Sequence, residues 1–260
     1  MSITIKSNPD GVSGAIQVNG VDAFAVGNGA QFSFRNKIIN GAFAINQRAY
    51  VSGAATAAGQ YTLDRWKVTG TGGITFSTVN NKTTVTIPAG QTLQQVIEGL
   101  NLATGTYVLS WEGTAQGRIG GGSYGASGTV TASITGGTNT TIEFNTGTVA
   151  NVQLEAGSIA TPFEHRPYGT ELALCQRYYS TLQGDWQLYS QAGYAVFFSQ
   201  TLPQPMRTNA TVTYSTTSTT NFNSISFFQD GPSNVRAALY ANAGNTSVRW
   251  YGLMQFSAEL

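Results

Sequence analysis

The chain has 260 residues, a net charge of +1, 10% charged and 41% hydrophobic residues, 31 glycines, one cysteine and one histidine. That apolar content excludes a disordered chain, and the lack of any Lys/Arg cluster argues against nucleic acid, whose binding needs grouped cations to displace counterions. A single cysteine excludes an intramolecular disulfide and a thiolate metal cage, and a single histidine excludes a multi-histidine site.

In chain order, residues 1–34 read as a small unit of short strands, ITI (3–5), GAIQV (14–18), DAFAV (22–26) and QFSF (31–34), with PDG, VNG and GNG as turns. So few strands cannot bury a core alone, so this segment is expected to pair with copies of itself or to dock on a larger body. Its opening residues, MSITIKSNPDG, lack the apolar core of a signal peptide. No run approaches the roughly 18–20 apolar residues that span a bilayer, so no membrane insertion is expected.

Residues 35–165 carry many strand signals at intervals of about 8–12 residues, which points to an antiparallel sandwich. They include IINGAFAI, RWKV, ITFSTV, KTTVTI, TLQQVI, TYVLSWEG, GTVTASI, TIEFN and VANVQLEAG. Strict alternation in TTVTI and TVTASI predicts one buried and one wet face. GRIGGGSYGASG (117–128) reads as a long flexible loop at one end, with Tyr124 near its tip.

Residues 166–179 read as a linker with a short helix capped by Thr170. Leu172, Leu174, Cys175 and Tyr178 or Tyr179 form its apolar stripe. Residues 180–260 return to β with WQLYSQ, GYAVFFSQTL, TVTYST, SISFFQ, AALYAN and VRWYGLMQFSAEL. The expected fold is all-β: a jelly-roll sandwich, a short helix and a smaller C-terminal sandwich, preceded by a β-rich N-terminal segment.

The stretch TPFEHRPYGTELALCQRYYS (161–180) gathers the lone His165 and the lone Cys175. Pro167, Gly169 and a helix start separate them, and Cys175 falls on the apolar face, so a core thiol is expected rather than a nucleophile. Among 12 acidic residues no spacing singles out a catalytic pair. Asp64 is expected to pair with the adjacent Arg65, and Glu155 to bond backbone or a neighbouring chain. The glycine-rich loop lacks GK[ST] and a strand–turn–helix context, which argues against a phosphate cradle. Neither catalysis nor a cofactor is expected.

Stacking aromatics on a neutral polar surface suit sugar binding. Trp66 and Trp111 lie within strands and are expected in the core. Tyr124, Trp186, Tyr189, Tyr194 and Tyr251 are the candidate glycan contacts, with Trp186 and Tyr189 expected to be exposed near a Gly-Asp turn.

NKIINGAFAINQR (36–48) followed by YTLDRW (61–66) resembles the opening motif of a module found in bacteriophage virion proteins, in tail fibres and related appendages. VQLEAGSIATPFEHRPYGTELALCQRYY (152–179) resembles the motif that closes it, and LPQPMRTNATVTY (202–214) resembles the region that follows. GAIQVNGVDAFAV resembles repeats that attach such modules to the particle. The resemblance implies a carbohydrate-binding-like jelly roll in a virion component without cofactor or catalysis. It also implies a homotrimer, fixed to other virion proteins through residues 1–34 and contacting host surface polysaccharide. The chain lacks a shaft of collagen-like or coiled-coil repeats, so a place on the tail or as a capsid decoration protein stabilising the head are both open. A polysaccharide depolymerase is the reading from another class.

Overall fold

The structure is a computed structural model that describes residues 3–7, 14–18, 21–26, 34–191, 194–229, 231–242 and 246–260. Near the N-terminus, β1 (Ile3–Ser7), β2 (Gly14–Val18) and β3 (Val21–Val26) form an antiparallel sheet in that order. The strand expected over 31–34 lies outside the described residues, apart from Phe34, which sits in a bend.

Nine strands then build the central sandwich: β4 (Lys67–Val68), β5 (Thr75–Val79), β6 (Lys82–Ile87), β7 (Leu93–Ile97), β8 (Gly105–Glu112), β9 (Gly117–Ile119), β10 (Val130–Ile134), β11 (Thr140–Phe144) and β12 (Gly147–Ala156). One sheet runs β10-β8-β12-β6-β5 and the other β4-β7-β11-β9, all antiparallel. Every connection from β6 to β12 crosses between the sheets, which is the strand order of a jelly roll. Alternation makes the core: Thr83, Val85 and Ile87 of β6, Tyr107, Leu109 and Trp111 of β8, and Ile142 and Phe144 of β11 are buried. Trp66 and Trp111 both pack against Phe144 in this core, at ring distances of 6.1 and 5.0 Å.

The second sandwich is smaller. β13 (Tyr179–Ser190), β18 (Thr246–Ser257) and β15 (Thr211–Thr220) make one sheet; β14 (Ala195–Thr201), β17 (Asn234–Ala241) and β16 (Phe222–Gln229) make the other. Its core holds Leu202, Met206, Val235, Leu239, Val248, Trp250, Met254 and Phe256. Gly184 and Gly252 are required here, because a Cβ at either would stand 2.7 or 2.5 Å from the Trp250 ring.

Between the sandwiches lies α1 (Tyr168–Gln176). It starts before Thr170, behind Pro167, and no side chain caps it, so the expected Thr170 cap is corrected. The expected stripe is corrected too. Its Cys175, Tyr178 and Tyr179 are buried as expected, but Leu172 and Leu174 are only half-buried and Glu171, one turn before Cys175, is buried in their place. A carboxylate thus lies on the inward face, and its partners explain why.

IINGAFAI, expected as a strand, forms none. Asn40 and Phe43 adopt left-handed φ of 57° and 55°, which breaks any strand. Side chains take over from a ladder. Asn36 donates its amide to Val152 O at 3.0 Å and accepts from the Ile38 and Leu154 amides at 2.9 and 3.1 Å. Asn40 donates to Ile45 O and Asp64 O at 2.8 and 3.0 Å and accepts from Ile45 N at 2.9 Å. Gly41 is forced, since a Cβ would fall 2.2 Å from Val152 O.

The later motif closes over this loop. Glu171 accepts from the Asn40 amide and from Arg166 Nη1 at 3.2 Å, and Arg166 also donates to Ile38 O at 3.0 Å and to Asn36 O. On β12, buried Gln153 and Glu155 face away from the core. Gln153 accepts from Glu164 N at 2.8 Å, and Glu155 accepts from Thr161 N and Oγ1, each at 2.7 Å.

Removing Glu171 would leave the Arg166 guanidinium, 7% exposed, without its main carboxylate. Glu171→Ala should cost about 3 kcal/mol, and Glu171→Gln, which keeps an acceptor, clearly less. Urea unfolding of the two variants checks this; equal and small losses would contradict the clamp.

Candidate functional site

The residues that first suggest chemistry are dispersed by the fold. His165 is exposed and meets Phe163 edge-on at 4.8 Å. Cys175 is fully buried, and desolvation, reinforced by the Asp64 and Glu171 charges, pushes its thiol well above the ordinary range. A thiolate nucleophile needs the opposite environment. Among the described residues no group of three His, Cys, Asp or Glu could hold a metal ion, and no helix is long and apolar enough to cross a membrane.

YTLDRW serves the joint between the sandwiches. The expected Asp64–Arg65 pair is absent. Asp64 accepts from Gln47 N at 3.0 Å and Gln47 Nε2 at 2.5 Å, and burial raises its pKa despite those bonds. Arg65 turns to the chain's far end, pairing with Glu259, donating to Val96 O at 2.6 Å and lying 3.6 Å over the Tyr178 ring. Arg48 joins the same carboxylate at 2.9 Å and lies 3.6 Å over Tyr179. These charges are committed to structure.

A different arrangement faces outward on the four-stranded sheet. In β7, β9 and β11 the inward residues are Leu93, Ile119, Ile142 and Phe144, which turns Gln94, Arg118, Thr141 and Glu143 to the other side. Register lines three of them up, with Glu143 opposite Gln94 on one neighbour and opposite Arg118 on the other. Directly opposite residues on a sheet face are in side-chain contact. Lys67 of β4 continues the row beyond Gln94, but its ammonium is engaged with Leu260 O at 3.1 Å.

Gln94, Arg118, Gly120, Gly121, Asn139, Thr141 and Glu143 line an open cleft of about 380 Å³. Glu143 is its centre. It accepts from Gln94 Nε2 and from the Tyr124 hydroxyl, and pairs with Arg118 at 2.5 Å. Arg118 in turn lies 4.5 Å from the Tyr124 ring centre. Burial acts to raise the Glu143 pKa, but the bonds from Tyr124, Gln94 and Arg118 outweigh it and hold the carboxyl below its usual value. Burial and the bond to Glu143 push Tyr124 up to about 12. At neutral pH the site is therefore a carboxylate held by a protonated phenol, a guanidinium and an amide.

The loop carrying Tyr124 is pinned, which corrects the flexible reading of 117–128. Gly117 and Gly125 exchange backbone bonds at 3.1 and 2.9 Å. Ser127 Oγ accepts from Trp111 N at 2.8 Å and donates to Trp111 O at 2.5 Å. Gly120 and Gly121, with φ of 58° and 77°, make the turn at the cleft's rim.

The other sequence candidates lie elsewhere, on the second sandwich. Trp186, expected to be exposed, is half-buried in its core, stacked on Phe198 at 5.1 Å and 14° and near Trp250 at 5.3 Å. It shares the inward face of β13 with Leu182 and Gly184, four and two residues back. Tyr189 and Tyr194 are 67% and 68% exposed. Tyr251 is half-buried, and its hydroxyl accepts from Gln183. The fold brings none of these four to the cleft. Tyr124, the one sequence candidate near the cleft, stands beside it through its bond to Glu143 and does not line it; Gln94, Arg118, Asn139 and Thr141 carry no local motif, and Glu143 is one acid among several.

Glu143 is ionised in the folded state down to a lower pH than in the unfolded chain. Its contribution to stability is therefore present above the ordinary carboxylate range and lost as pH falls through its depressed pKa. Glu143→Gln should lower stability at pH 6–9, where the ionised carboxylate contributes, and lose less on acidification than the wild type, so that the acid limb flattens; an acid limb as steep as the wild type's would contradict the assignment. Trp186→Ala should lower stability by roughly 2–3 kcal/mol, read as a drop in thermal midpoint; an unchanged midpoint would return Trp186 to the surface. No family model, curated protein or solved structure matches the chain.

Proposed function

We propose that the chain is a non-enzymatic structural component of a bacteriophage virion, an outward-projecting homotrimeric fibre or tail protein that binds host surface glycans through the cleft on its four-stranded sheet. The observation that carries the binding part is the row Gln94–Glu143–Arg118 beside Tyr124, opening on Asn139 and Thr141. Amides, a hydroxyl and an aromatic on a rigid sheet are the groups that take sugar hydroxyls. The virion part rests on the resemblance of residues 36–48, 61–66 and 152–179 to phage appendage modules.

Binding is favoured over cleavage by a specific feature. Glu143 is the only carboxylate among the residues lining the cleft. A glycosidase uses two, one of them an acid with a raised pKa, and Glu143 is held the other way. Three copies in one particle would multiply weak single-site affinity.

The test is adsorption of the purified chain to host cells and to a glycan array, alongside Arg118→Ala and Tyr124→Ala. Binding by the wild type and a loss of about tenfold or more in both variants is expected, measured well below their thermal midpoints, which should fall because each variant removes a partner of Glu143. A blank array with no adsorption would overturn the glycan reading, and release of reducing ends from host polysaccharide would replace it with a depolymerase.

A further inference from the structure

The charges of the cleft cancel inside it. Arg118 spends one guanidinium nitrogen on Glu143 at 2.5 Å, and the Glu143 side chain, 7% exposed, receives two further donors from Gln94 and Tyr124. Lys67, the next cation along the row, is turned to Leu260 O and lines no part of the cleft. Asn139 gives its carbonyl to Gly99 N at 2.8 Å, which fixes the side chain and turns the amide nitrogen outward as a donor. Gln94 uses its amide nitrogen on Glu143, which leaves its carbonyl as an acceptor. Thr141 adds a hydroxyl that can donate or accept.

What the cleft offers a ligand is therefore a set of neutral donors and acceptors around a self-neutralised ion pair. An anionic ligand would have to compete with Glu143 for Arg118 while approaching a carboxylate that is already ionised, and like charges at such range repel. An uncharged polyol meets no such opposition. We infer that the cleft is selective for neutral hexose units and discriminates against uronic or sialic acids, with Glu143 as the residue that sets this preference by neutralising Arg118. The inference rests on the glycan-binding reading above and narrows its ligand class.

The experiment compares an array of neutral hexose oligosaccharides with matched uronic-acid and sialylated glycans, using the full chain and its Glu143→Gln and Asn139→Ala variants. The wild type should prefer the neutral set by about tenfold or more. Glu143→Gln keeps an acceptor for Tyr124 and Arg118 but frees the guanidinium charge, so the acidic-to-neutral affinity ratio should rise by about tenfold. A merely structural role for Glu143 would weaken both classes together and leave that ratio unmoved, which would overturn the assignment. Asn139→Ala should weaken neutral binding several-fold, measured well below its melting midpoint, which should fall slightly because Gly99 N loses its acceptor; unchanged neutral binding would remove Asn139 from the site. Acidic glycans bound as well as neutral ones by the wild type would overturn the selectivity and leave glycan binding standing. No binding to either class would remove the glycan reading itself.

Discussion

Arg65 is the residue around which the two sandwiches are fixed. Its side chain is 2% exposed, and a guanidinium so deep in protein is tolerated only with compensating partners. The partners come from three distant parts of the chain: Glu259 next to the last residue, the Tyr178 ring after the helix, and Val96 O on β7. Each therefore holds a separate element against the 61–66 turn. Arg48 doubles the hold on Glu259, Gln47 bonds both Asp64 and Tyr179 O, and Arg207 donates to Ala258 O at 3.0 Å. Glu98 completes the joint by accepting from the Tyr178 hydroxyl at 2.8 Å and from Arg177 at 3.3 Å. The result is a polar joint, hydrogen-bonded across the domain boundary, in a chain otherwise poor in charge.

This accounts for the long motifs without giving them chemistry. NKIINGAFAINQR, YTLDRW and the segment from Val152 to Tyr179 touch one another through Asn36, Asn40, Gln47, Glu164, Arg166 and Glu171, and those contacts satisfy buried backbone that no sheet serves. A module so closed spends these polar groups on the joint, while the cleft on β7, β9 and β11 stays open on the outward face. The cleft on β7, β11 and β9 sits beside the joint, since its row of side chains ends at Lys67 and Leu260.

The fold was legible in the sequence where alternation ruled. KTTVTI and TVTASI became β6 and β10, and TIEFN became β11, because period-two patterning has one sheet-forming solution. It misled at IINGAFAI, which is apolar enough for a strand but carries Asn36 and Asn40, whose side chains replace the ladder and bend the chain through left-handed positions. It misled again at Trp186, because the face of β13 that turns inward is set by Gly184 under the Trp250 ring, a contact between strands far apart in sequence. The cleft was nearly invisible for the same reason. Gln94, Arg118 and Glu143 become neighbours only through strand register, and nothing in their local sequences marks them. The lone histidine and cysteine drew attention by rarity, yet burial of Cys175 and exposure of His165 separate them.

The central claim is that recognition belongs to this cleft and structure to the joint. The most direct measurement is an NMR titration of the chain with a neutral hexose tetrasaccharide, following the side-chain amides of Gln94 and Asn139 together with the joint amides of Asn36, Asn40 and Gln47. The account predicts saturable shifts of the Gln94 and Asn139 resonances with the joint amides still. Shifts concentrated at the joint, or on the Tyr189 and Tyr194 end of the second sandwich with Gln94 and Asn139 unmoved, would contradict it.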